Sequence, residues 1–129
     1  HFWNIGNYFI SEFNRVINKT DTSEYVQAYG FGIKPIVLFK NKKGEFCSIT
    51  RTFFLQETIA NGIWHQYSIA NGILMPFFVP SLSHTKVEID YAINIIEKIL
   101  LKINKINQSE GLNNYLLDPP IKPVFRKYN

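Results

Sequence analysis

The stretch SLSHTKVEIDYAINIIEKILLKINKIN, residues 81 to 107, leaves little choice of local structure. Ile89, Ala92, Ile93, Ile96, Ile99, Leu100, Ile103 and Ile106 recur at three- and four-residue spacing and line one side of a helix, while Glu88, Lys98, Lys102 and Lys105 point elsewhere. Ahead of this stripe, Thr85-Lys86-Val87-Glu88 has the form of a capping box. In such a box Thr85 accepts from the amide of Glu88 while the Glu88 carboxylate reaches back. An apolar face this wide has to be buried against a sheet or other helices, and that requirement shapes every reading of the remaining chain.

The chain can supply such a core. Its 129 residues are 46% apolar and 19% charged, which is the composition of one globular domain and argues against disorder. Eleven Phe, seven Tyr and two Trp are more large rings than one small sheet usually covers, so some are expected to meet another surface. The net charge of +4 and pI near 9.2 permit an anionic partner without requiring one. The lysines and arginines are scattered, and the tightest group, Lys40, Lys42 and Lys43 around Gly44, reads as a solvated turn. Nucleic acid is therefore not the expected partner. The longest apolar run, Ile73 to Val79, is too short to cross a bilayer and holds Pro76, so no membrane is expected either. Cys47 stands alone, which excludes an intrachain disulfide and a thiolate metal cluster and fits a reducing cytoplasm.

Residues 1–19 carry Phe2, Ile5, Phe9, Phe13 and Val16 at helical spacing, and no capping residue precedes them, as in a helix cut from a longer polypeptide. Strands and a helix are expected over 25–63: Tyr25 to Phe31, a bend at Gly30, Gly32 and Pro35, then Ile36 to Phe39. After the turn at Asn41 to Gly44, Ser48 or Thr50 is expected to cap a helix that ends near Gly62. Short strands at Ile73 to Met75 and Phe77 to Val79 and the long helix fill 74–107, with Pro76 and Pro80 restricting those strands to edges, bulges or ends. The tail, 108–129, carries Pro119, Pro120 and Pro123 and reads as extended. The sum is an α+β domain, a small antiparallel sheet with helices packed on one face.

One feature is unusual. FLQETIANGI at 54–63 is followed in phase by WHQYSIANGI at 64–73. A helix continued through both copies would rotate each copied side chain by about 280 degrees, off the original apolar face. The copy at 64–73 is therefore expected as an inserted loop carrying a separate short turn or helix, absorbed at small entropic cost.

The order IVLFKNKKGEF, then RTFFLQETIANGILMP read across the duplication, then SLSHTKVEIDYAINIIEKIL, then PPIKPVFRKYN resembles the C-terminal domain of class III pyridoxal-phosphate aminotransferases. The branch it is most similar to is that of glutamate-1-semialdehyde aminomutase. The resemblance covers nearly the whole chain. It implies the small domain of a fold type I enzyme, in which the long helix rests on the small antiparallel sheet. It also implies a cytoplasmic homodimer, with a large domain upstream that holds pyridoxal phosphate through a lysine. No lysine here occupies that lysine's motif, so the resemblance implies no catalytic residue, no cofactor on this piece and no turnover by it alone.

Many enzymes of the class place a carboxylate-holding arginine just before a short apolar-proline stretch. Phe77 stands at that place in this chain. Phe77 and Phe78 are thus candidate cleft or subunit-contact residues, against ordinary core packing. His84, just before the long helix, is a third candidate, weighed against a structural loop histidine because no acidic partner is identifiable beside it. His65 reads as solvent-facing, and Arg51 as a partner of Glu57 or a subunit-surface residue. The alternative to the enzyme reading is a stand-alone basic, aromatic-rich module that binds nucleic acid or a protein.

Overall fold

A computed structural model describes residues 1–63, 66–70, 73–81, 83–109 and 111–120, leaving aside the side chains of residues 2, 66–70, 73–77, 108 and 109. Helix α1 (Phe2–Lys19) buries Ile5, Phe9, Phe13, Val16 and Ile17, the stripe that its periodicity defines. It stops where Asp21 takes a φ of 58°, and the amide of Thr22 closes the end on the Ile17 carbonyl at 3.1 Å.

Strands β1 (Val26–Phe31) and β2 (Lys34–Phe39) form an antiparallel hairpin with Val26 opposite Phe39 and Phe31 opposite Lys34. Val26, Ala28, Val37 and Phe39 are buried, so the period of two puts one face of this hairpin against the helices. Gly6 and Gly32 let α1 approach the hairpin tip, because a Cβ at Gly6 would overlap the Gly32 carbonyl.

Helix α2 (Ser48–Ala60) begins after Cys47, whose sulfur, not Ser48 or Thr50, accepts the capping bond from the Thr50 amide at 3.5 Å. This corrects the expected cap; Thr50 instead turns its hydroxyl to the same sulfur at 3.3 Å. The first repeat copy ends α2, with Asn61 at the cap and Gly62 at φ 80°.

The described part of the second copy is neither turn nor helix. Gln66–Ala70 is strand β3, paired with β4 (Ile73–Phe77) from Gln66 opposite Phe77 to Ala70 opposite Ile73. Residues 64, 65, 71 and 72 of this copy, His65 among them, lie outside the described residues. The sheet is four-stranded and antiparallel in the order β1-β2-β4-β3, which puts β4 and its Pro76 inside the sheet and β3 at an edge. Pro76 was expected only at an edge, a bulge or a strand end. A proline has no amide to give, and β4 meets β2 only at Ile36 opposite Phe77 and through the Phe78 amide on Pro35 O at 3.0 Å.

Helix α3 (Lys86–Ser109) buries Ile89, Ile93, Ile96, Ile99, Leu100 and Ile103. Its packing partners are α1, α2 and a short 3-10 helix (Leu112–Tyr115). Its isoleucine stripe shares one core with Val26, Ala28, Val37 and Phe39 of the sheet, so the helices pack together on one sheet face as expected. Polar contacts follow the same seams. Tyr8 donates to Asp90 at 2.6 Å, Lys19 meets Glu97 at 2.7 Å and Lys102 meets Glu57 at 2.8 Å. No described helix is long and apolar enough to cross a membrane.

Candidate functional site

The chain leaving β4 builds the region that holds the candidate residues. Phe77 ends β4, where its backbone pairs with both Ile36 and Gln66; its side chain lies outside the described residues. Phe78 turns inward, its ring centroid 4.6 Å from that of Phe9 in a tilted contact, and packs on the main core. Val79 then comes to the surface, 55% exposed.

His84 is half-buried in a turn that it closes with Ser81. The Ser81 amide donates to His84 Nδ1 at 2.8 Å, so that nitrogen is the ring's acceptor and a neutral ring carries its proton on Nε2. Ser81 Oγ lies 3.1 Å from the same atom. An imidazole whose acceptor nitrogen is already bonded has no free lone pair for a substrate proton. The geometry favours the structural role.

The capping box is half as expected. Glu88 reaches back to the Thr85 amide at 2.8 Å, but the Thr85 hydroxyl donates to the same carboxylate and accepts, at 3.3 Å, from the Val87 amide in place of that of Glu88. These bonds from the Thr85 hydroxyl and then its amide, with a smaller one from the Glu88 amide, hold the Glu88 carboxyl below its usual range. Glu88 and His84 line the same groove, each engaged with its own turn partner, Thr85 for Glu88 and Ser81 for His84.

Phe9, Ile63, Phe78, Val79, His84 and Glu88 line a groove of about 290 Å³ between the end of α2 and the start of α3. It has an apolar floor, one carboxylate and one imidazole. Such a surface can bind and orient an apolar group, and it contains no activated nucleophile. Arg51 is buried, 6% exposed, and Lys102 donates to the Glu57 carboxylate.

Pyridoxal phosphate, the group that the resemblance implies, makes a chemical demand on the residues that hold it. An aldimine lysine has to be enclosed beside an acid that can face the pyridine nitrogen. Lys40 is half-buried and the other described lysines are exposed, so these residues do not fit the group. No cluster of metal-ligating side chains occurs among the described residues. Compared with known proteins, the chain matches no family model and no curated sequence.

Proposed function

We propose that this chain is the lesser lobe of a pyridoxal-phosphate aminotransferase or aminomutase of class III, in the branch resembling glutamate-1-semialdehyde aminomutase. On this reading the lobe is inactive alone, and a larger lobe of a cytoplasmic homodimer supplies the cofactor lysine. The observation that carries it is the order of FLQE, NGILMP, SLSHTKVEID and the basic-aromatic ending along the sequence of a chain whose described residues form an α+β domain. The groove beside Phe78 and His84 lies in the segment that the resemblance assigns to the cleft wall, and it would shape substrate access there.

Borohydride reduction of the native polypeptide with pyridoxal phosphate, followed by peptide mapping, tests the proposal. The expected result is one modified lysine upstream of His1. A trapped adduct on this chain unaided, or a native start at His1, would overturn it. A stand-alone basic module gains less support, because three of the cations, Arg15, Lys19 and Lys102, are spent on glutamates.

A further inference from the structure

A second groove, at the opposite end of α2, has no part in the proposal above. It measures about 440 Å³, and Tyr25, Lys40, Lys42, Lys43, Asn107 and Asn113 contribute to its walls. Its apolar lining comes from Ile49 and Leu112.

Three independent features make its polar half a receptor for negative charge. The loop Asn41–Glu45 is closed from within: Asn41 Oδ1 accepts from the amides of Lys43 at 2.9 Å and Glu45 at 3.0 Å. The lysines are therefore carried on a pre-shaped loop. None of the three lysines forms an ion pair among the described residues, whose pairs use Arg15, Lys19 and Lys102. Glu45, the acid on this wall, accepts from Asn41 Nδ2 at 3.0 Å.

Helix α2 starts at this groove. Its first amides, Ser48 and Ile49, have no acceptor within the helix, and the Cys47 sulfur serves only Thr50. The third feature is Tyr25. This residue is 9% exposed and lines the groove. The Tyr25 hydroxyl is not a buried unsatisfied atom but opens to the solvent of the groove, where it can donate to an acceptor from outside.

We propose that this groove binds a small phosphate monoester, with the phosphate among Lys40, Lys42, Lys43 and the start of α2, and the organic body against Ile49 and Leu112. The Tyr25 hydroxyl donates to the ester, and the amides of Asn107 and Asn113 face the polar part of the body. A free lysine cluster alone would take any anion; the apolar lining adds the preference for an organic ester.

Amide NMR titrations of the protein with phenyl phosphate, inorganic phosphate and phenol test this. Phenyl phosphate is expected to give saturable shifts at Lys42, Lys43, Ser48, Ile49 and Asn113, inorganic phosphate the same shifts with weaker affinity, and phenol none. The exposed double substitution Lys42→Glu with Lys43→Glu should weaken phenyl phosphate at least about tenfold, the scale of one charge-assisted contact. Tyr25→Phe should weaken it several-fold at an unchanged thermal midpoint. Unsaturating shifts spread over scattered lysines would mean an adventitious ion only and would overturn the proposal, as would undiminished binding by the double variant.

Discussion

Single residues decide two features of this molecule. Gly6 faces the backbone of Gly32 with no room for a Cβ, whereas Gly44, at φ 79°, has nothing within 4 Å. Gly6→Ala should therefore cost about 3 kcal/mol or more, since backbone cannot repack as a side chain can. Gly44→Ala should cost only about 1 kcal/mol, the strain of a positive φ. Chemical denaturation of both variants checks the ordering, and equal costs would show that α1 does not lie on the hairpin tip. Glu88 gives a pH signature. Its folded carboxyl lies below the usual 4.5, so the stability that it contributes is present at neutral pH and is lost as pH falls through the lower folded value. The thermal midpoint of Glu88→Gln should lie below that of the parent at pH 6 and approach it on acidification below pH 4.5. A gap that widens in acid would refute the bonding to Thr85.

At the scale of elements, the repeat shows where sequence reading stops. Ile59-Ala60-Asn61-Gly62 closes a helix, while Ile69 and Ala70 from the identical pentad end a strand whose partner starts at Ile73. Asn-Gly suits both a helix stop and a tight hairpin. Context decides between them. Upstream of the first pentad, Phe53, Phe54 and Thr58 are buried, and the Thr58 hydroxyl bonds back to Phe54 O at 2.9 Å, so tertiary contacts hold that copy helical. The second copy has β4 to pair with, a partner that no local pattern could announce. Long amphipathic helices such as α3 were legible because their periodicity is local. The cap at Cys47 was not, because sulfur is an uncommon acceptor there. In the candidate site, the positions of Phe78 and His84 could be named in advance, but the turn that occupies the His84 nitrogen depends on three-dimensional closure. Deleting Trp64 to Ile73 removes β3 and the first residue of β4, and leaves the rest of β4 paired with β2 at Phe77. The loss should be several kcal/mol, beyond what a neutral surface loop would show. Urea unfolding of the deletion variant measures it, and a change below about 0.5 kcal/mol would place 64–73 outside the packed sheet.

For the molecule as a whole, the arrangement of α3 matters most. It runs alongside α1 in the same direction, from Tyr8 beside Asp90 to the Thr20 carbonyl, which receives Asn104 at 3.2 Å, and opposite in direction to α2. Ile96, Leu100 and Ile103, each 0% exposed, share one core with Phe13, Phe54 and Val37, so helices and strands have no separate interiors. A chain built this way should unfold in one step. Leu100→Ala removes a fully buried side chain and should cost about 2–5 kcal/mol. Lys102→Ala breaks only an exposed pair with Glu57 and should cost about 1 kcal/mol or less. Followed by far-ultraviolet circular dichroism and by near-ultraviolet aromatic signals, Leu100→Ala should shift both transitions together. Helical signal lost first, with the aromatic core surviving, would mean that α3 is an accessory layer and that the sheet with α1 and α2 holds itself together.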